Sequence, residues 1–106
     1  LHDMTQPVGV LSSIRRVLRP GGVTLIADEK TADRFTAPAD DTERAYYGFS
    51  VFACLPAVMT ARPTAAIGTV MRASTMQRLG AEAGFRSVER LDEPALDMLR
   101  FYRFTP

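Results

Sequence analysis

The sequence predicts an α/β fold with about three helices, one strand of the parallel type and a terminal pair of antiparallel strands. Three observations indicate this class: a helical apolar stripe from Thr5 to Leu18, a β-branched apolar run from Val23 to Ala27, and two further strand patterns near the end of the chain. The chain has 106 residues, of which 46% are hydrophobic, which suffices for one modest core. We therefore expect a single folded unit.

The first helix and the strand after it are separated by a strong stop signal. Pro20-Gly21-Gly22 ends the helix, because proline cannot continue it and glycine adopts the left-handed conformation found just past a helix end. The run from Val23 to Ala27 is almost continuously apolar, which indicates a strand buried on both faces, as in parallel sheets. Asp28 and Glu29 follow it, at the strand edge where open α/β sheets bind ligands.

The middle of the chain is predicted to be an acidic loop followed by an aromatic helix. Residues 30–41 have no periodic apolar stripe, and residues 28–43 hold six acidic and two basic side chains. Acidic residues at Asp40 and Asp41 favour a helix start, and Pro56 is expected to end that helix. Its segment is rich in aromatic and sulfur-containing side chains, namely Tyr46, Tyr47, Phe49, Phe52, Cys54 and Met59. Either they wall a ligand or they pack the helix against the sheet.

The last third of the chain predicts a helix and two strands. The helix begins at Ala73 or Ser74 and ends at Gly84, a C-terminal glycine. Residues 85–91 and 98–105 have strand patterns, and residues 92–94, Asp-Glu-Pro, predict a turn. Because the connection is short, the two strands are expected to pair antiparallel.

Composition excludes several classes of function. The formal net charge of +1 argues against binding to nucleic acid or to an anionic membrane, and no apolar run approaches the roughly 20 residues that span a bilayer. Cys54 is the only cysteine and His2 the only histidine, so we expect no disulfide framework, no transition-metal site of the His/Cys type, and a reducing cytoplasm as the location. The chain begins at Leu1 without a methionine and resembles the interior of a longer protein.

Two short sequence runs resemble motifs of a known protein family. They are Leu18-Arg19-Pro20-Gly21-Gly22, directly before the first strand, and Ala83-Gly84-Phe85, before the terminal strands. With the order of elements they resemble the carboxyl-terminal half of a class I S-adenosylmethionine-dependent methyltransferase. The resemblance implies half of a Rossmann-like sheet. In it, residues 1–29 form a helix and a buried strand, and residues 30–72 form the acidic loop, the aromatic helix and the substrate cap. Residues 73–106 form a helix and the terminal strand pair.

A closer resemblance concerns the cap. Phe35-Thr36-Ala37-Pro38 and Gly68-Thr69-Val70-Met71-Arg72 are similar to the cap of a bacterial subgroup whose complete members have a winged-helix dimerisation domain upstream. This implies S-adenosylmethionine as the methyl donor, a small aromatic or hydroxylated acceptor and a homodimer. The glycine-rich turn that follows the first strand in that family is absent, so we do not expect this chain alone to bind the cofactor. The alternative is a non-catalytic dimerising domain of a transcriptional regulator, held together through an unpaired strand edge.

Individual site residues follow from strand-end position and from the resemblance. The resemblance implies that His2, Asp3 and Met4 lie beside the cofactor, and His2 is either a general base for the acceptor or an exposed terminal histidine. Cys54, with no histidine near it in the sequence, is expected to be a small buried hydrophobe rather than a nucleophile. Asp28 and Glu29 either orient the acceptor or cap the loop, and Arg72 meets an acidic substrate group or forms a surface ion pair. The full set of expected substrate contacts is Asp28, Glu29, Tyr46, Tyr47, Phe49, Met71 and Arg72.

Overall fold

The sheet has three strands, and its last strand lies in the middle. The computed structural model describes residues 1–91 and 97–106. The strands are β1 (Thr24–Glu29), β2 (Ser87–Leu91) and β3 (Leu99–Thr105), in the order β1-β3-β2. β3 pairs antiparallel with both neighbours, and the antiparallel pairing of β2 with β3 confirms the predicted terminal strand pair. The α/β class is confirmed as well.

The described residues form the α-helices α1 (Pro7–Val17), α2 (Asp41–Phe49), α3 (Leu55–Met59) and α4 (Ala73–Glu82), and a π-helical segment, Ser50–Cys54, joins α2 to α3. Three of these helices lie close to the predicted positions, whereas α3 was not predicted. The Asp40 carboxylate accepts a hydrogen bond from the Glu43 N–H at 2.8 Å, which fixes the start of α2 as the acidic residues predict. Pro56 does not end this helix, since it lies in the first turn of α3, where a missing N–H is tolerated.

The hydrophobic core lies between one face of the sheet and helices α1 and α4. Gly80 of α4 packs so closely on the sheet that an added Cβ would overlap the Val88 side chain and lie 2.9 Å from Phe104. The Phe85 and Phe104 rings meet edge to face with centroids 5.2 Å apart. The buried core residues are Leu11, Met71, Met76, Leu79, Ala83, Phe85, Tyr102 and Phe104.

The prediction of a strand buried on both faces is wrong for β1. Leu25 is 61% exposed and Val23, just before the strand, is 45% exposed, whereas Asp28 on the opposite face is buried. β1 is an edge strand of an antiparallel sheet that helices cover on one face, so alternate residues point outward. No parallel strand pair occurs within the described residues, and there the second edge of β1 has no strand partner.

Two further expectations concern segments without regular structure. Residues 30–40 form neither helix nor strand, as predicted. The turn predicted at residues 92–94 lies outside the described residues. None of the helices in the described part of the chain combines the length and apolar character needed to cross a bilayer.

Candidate functional site

A pocket of about 390 Å³ opens at the carboxyl end of β1. Its residues come from the turn before α1, the end of β1, α2, the π-helical segment, the loop before α4 and the start of β3. They are His2, Asp3, Glu29, Tyr46, Phe49, Cys54, Thr69, Met98 and Leu99. The pocket therefore lies at the strand edge where the sequence places a ligand.

The His2 side chain is held rigidly by the end of β1. Its Nδ1 lies 2.8 Å from Asp28 Oδ1 and 3.1 Å from Glu29 Oε2. Asp28 also accepts hydrogen bonds from the Leu1 nitrogen at 3.1 Å and from the Glu29 N–H at 3.0 Å. His2 is only 7% exposed, so it is not the exposed terminal histidine that the sequence left open.

The charges around His2 fix which ring nitrogen carries a proton. Burial alone raises the pKa of Asp28, but hydrogen bonds from His2 and Glu29 outweigh it and hold that pKa well below its usual range. Asp28 is therefore ionised and can only accept, so His2 Nδ1 donates to it. The same hydrogen bond is the main reason that the pKa of His2 is raised. The other ring nitrogen, Nε2, is directed at Asp3 and Cys54, which both line the pocket.

The opposite wall of the pocket is aromatic and sulfur-containing. The Tyr46 hydroxyl donates to the Met98 carbonyl at 2.9 Å, which ties α2 to the start of β3. Burial, with the charge of Glu29 second, raises the pKa of Tyr46, so this hydroxyl stays neutral. Phe49 lines the same wall and remains 61% exposed. This wall can shield an apolar ligand from water on one side.

Cys54 does have a histidine partner, which corrects the prediction from sequence. The residue lies in the π-helical segment, is only partly buried, and its Sγ is 3.8 Å from His2 Nε2. The two residues are 52 positions apart in the chain, so their contact arises from the tertiary fold and leaves no local signal. π-Helical turns of this kind occur often at functional sites.

Four of the seven predicted substrate contacts are not among the residues of this pocket, and the first of them, Asp28, lies behind His2 and holds its ring. Met71 is 2% exposed and belongs to the hydrophobic core. Arg72 forms a two-pronged ion pair with Glu43, at 2.7 and 2.8 Å, and this pair is largely buried rather than on the surface. Tyr47 accepts a hydrogen bond from Arg72 at 3.0 Å and stacks edge to face on Phe35. Met4, expected beside the cofactor, is 43% exposed and is not among the residues of this pocket.

Three pocket residues were not singled out from the sequence. Thr69 belongs to the Gly68-Thr69-Val70-Met71-Arg72 run, so the cap resemblance was a usable signal for it. Met98 and Leu99 reach the pocket only because β3 runs antiparallel beside β1, which places Leu99 opposite Glu29. No local pattern marks that placement.

The described residues do not form a cradle for S-adenosylmethionine. Such a cradle needs a glycine-rich turn from a strand into a helix, where backbone N–H groups can approach the ligand. Gly21 and Gly22 lie in a connection from a helix to a strand, between α1 and β1, and Gly84 lies in another, between α4 and β2. None of the three lies in a turn from a strand into a helix. Neither a scan against protein-family models nor a search of curated proteins finds a match to this chain.

Proposed function

We propose that this chain supplies the acceptor side of a methyltransferase that moves a methyl group from S-adenosylmethionine to a small acceptor. The observation that carries the proposal is the His2 ring, which is anchored by an ionised carboxylate and directs its other nitrogen toward an otherwise largely apolar pocket. The order of elements supports it too, because a helix, a strand, a long loop and a terminal antiparallel strand pair follow one another as the resemblance implies.

The chemistry proposed for the site follows from this geometry. A hydroxyl acceptor loses its proton when it is methylated, and Nε2 can take that proton while Asp28 stabilises the resulting imidazolium. The apolar wall of Tyr46, Phe49 and Leu99 excludes water from one side of the acceptor. The pocket volume of about 390 Å³ fits a small molecule. The cofactor, when bound in the complete enzyme, supplies the activated methyl group, and a part of that enzyme outside these 106 residues would have to hold it.

Calorimetric titration with S-adenosylhomocysteine tests the proposal. The 106-residue chain is expected to give no binding heat, because it has no strand-to-helix glycine turn in its described residues. The polypeptide extended through the residues encoded before Leu1 is expected to bind one equivalent. If the extended polypeptide does not bind either, the methyltransferase proposal is wrong.

A second candidate function is dimerisation without catalysis. The outer edge of β1 has no strand partner among the described residues, and the exposed Val23 and Leu25 make this edge apolar. Such an edge tends to pair with a second chain. Light scattering at tens of micromolar is expected to show a dimer for this candidate, and Leu25→Lys is expected to shift it to monomer. A monomeric wild-type chain contradicts it.

A further inference from the structure

We propose that His2, Asp3 and Cys54 form a binding site for Zn²⁺, with one coordination position open to the pocket. His2 Nε2 lies 3.3 Å from Asp3 Oδ1 and 3.8 Å from Cys54 Sγ. The three ligand atoms all lie within 4.8 Å of one another. Zinc bonds of about 2.0–2.3 Å at tetrahedral angles place ligand atoms roughly 3.3–3.7 Å apart. The separation of His2 Nε2 from Asp3 Oδ1 matches this range, and that of His2 Nε2 from Cys54 Sγ lies just above it.

The remaining separation can close without disturbing the core. The Asp3 side chain is 58% exposed and lies in the turn before α1, so its carboxylate can rotate toward Cys54. His2 and Cys54 are the less mobile pair, because one is anchored to β1 and the other lies in the π-helical segment. Zinc binding therefore requires movement mainly of the exposed Asp3 side chain.

The hydrogen bond on the far side of the His2 ring is the arrangement that zinc-binding histidines use. A ligating histidine usually donates its other ring N–H to a carboxylate, which fixes the ring orientation and makes the ligating nitrogen more basic. Asp28 fills this role, since its carboxylate accepts from Nδ1 at 2.8 Å and leaves Nε2 for the metal. This contact distinguishes the site from a chance meeting of three side chains.

The charge of the surroundings favours a cation over a free thiolate. Asp3 and Glu29 line the pocket, and Asp28 lies directly behind His2. Within residues 1–91 and 97–106, no lysine or arginine lines it. These carboxylates attract a dication, and a bound dication in turn holds the Cys54 sulfur as a thiolate.

A second possible ligand set fits less well. His2, Asp28 and Glu29 also bring three donor atoms within 4.8 Å of one another. That set uses Nδ1, so the metal would displace the hydrogen bond that orients the ring. The set with Cys54 keeps this bond and leaves a fourth position toward the pocket, where the Thr69 Oγ1, buried and without a hydrogen-bond partner, is available to a metal-bound water.

The site does not depend on the proposed methyl transfer, because its ligands are residues of this chain and its test measures metal binding alone. If both proposals hold, zinc occupies the Nε2 lone pair that accepts the acceptor's proton. Zinc is then expected to inhibit transfer in the complete enzyme.

Metal titration of the metal-free 106-residue chain tests the proposal. Calorimetry with Zn²⁺ is expected to show one site per chain, and Co²⁺ is expected to give the intense near-ultraviolet absorption of a thiolate-to-cobalt bond. Cys54→Ser is expected to abolish that absorption and to lower Zn²⁺ affinity at least tenfold, since a thiolate ligand is lost. Asp3→Asn is expected to weaken binding, and the matched control Asp41→Asn, at a 99% exposed carboxylate in α2, is expected to leave it unchanged.

Circular dichroism of each variant shows whether it has folded, and Asp3→Asn, on an exposed side chain, keeps the test decisive if Cys54→Ser does not fold. The proposal is overturned if wild-type chain binds no zinc, if cobalt binds without the thiolate absorption, or if folded Cys54→Ser and Asp3→Asn bind zinc as tightly as wild type. The last result would assign the metal to other carboxylates.

Discussion

Two charged clusters lie beside α2 residues, and they differ in how completely their polar atoms are used. In the first, Arg72 binds both carboxylate oxygens of Glu43, the Ala32 carbonyl and the Tyr47 hydroxyl, and Glu43 also accepts from the Ala32 N–H. In the second, Asp28 anchors one nitrogen of His2, while the other nitrogen, Cys54 and Asp3 face a pocket. The first cluster is closed and the second is open.

This difference separates a structural ion pair from a candidate site. The closed cluster ties the acidic loop and α2 to the residue before α4, and each terminal nitrogen of the Arg72 guanidinium already makes two hydrogen bonds. Buried charge or a shifted pKa therefore does not identify a site by itself. The candidate site is identified here by a set of possible ligand atoms, on His2, Asp3 and Cys54, that the fold brings together at a pocket.

The largest effect is expected from breaking the closed cluster. Arg72→Met leaves the Glu43 carboxylate buried and unpaired, which we expect to lower the free energy of unfolding by about 3 kcal/mol. Urea denaturation measures this change. The matched control is Arg78→Met, which removes an exposed ion pair with Glu82 and is expected to cost less than about 0.5 kcal/mol. Equal losses in the two variants would show that Arg72 and Glu43 are not buried together.

The next effect concerns the backbone that supports the open cluster. Gly68 has φ +77°, and an added Cβ would overlap the Ser50 hydroxyl and lie 3.0 Å from Leu55, at the two ends of the segment that carries Cys54. Gly68→Ala is expected to cost about 1–3 kcal/mol by overpacking and strain. It should also weaken zinc binding, and calorimetry measures this.

The control for that substitution is Gly48→Ala. Gly48 lies in α2 with nothing within 4 Å of an added Cβ, so alanine is expected to stabilise the protein by up to about 1 kcal/mol and to leave zinc binding unchanged. If both glycine substitutions act alike, the close packing around Gly68 is not what holds the open cluster.

A smaller effect is expected in the acid range. The Arg72 hydrogen bond holds the pKa of Glu43 below its ordinary value, so the ion pair stabilises the protein fully above the unfolded-state pKa of about 4.3. That contribution is lost as the pH falls through the lower, folded-state pKa. Glu43→Gln is expected to remove this part of the pH dependence, which thermal melts between neutral and acid pH can measure. A wild-type profile retained in Glu43→Gln would contradict the assignment.

Local patterns predicted the helices better than the sheet. The stop at Pro20-Gly21-Gly22, the acidic start of α2 and the terminal Gly84 depend on neighbouring residues, and the structure has all three close to the predicted positions. The run from Val23 to Ala27 predicted a strand correctly but not its burial, because a continuous apolar run does not tell which faces are covered. How β1 is buried depends on its pairing with β3, and β3 lies more than 70 residues later in the chain.

The same reasoning explains the outcome for the site. The strand-end position predicted Glu29 as a site residue, and the aromatic content of the middle segment predicted Tyr46 and Phe49. All three line the pocket. Met71 and Arg72 were placed by their position before a helix, but their side chains turn to the core and to Glu43. The contact of His2 with Cys54 joins residues 52 positions apart, so counting one histidine and one cysteine could not reveal it.

The state of the His2 ring tests the central claim most directly, because it is the only histidine and its signals need no assignment. Long-range nitrogen–proton NMR of the metal-free chain, at a pH above the His2 pKa, distinguishes the two neutral forms of the ring. The anchored geometry predicts that Nδ1 carries the proton and Nε2 does not. A proton found on Nε2 with a bare Nδ1 would contradict the account, since Asp28 would then receive no hydrogen bond from His2 and the pocket would face no free ring nitrogen.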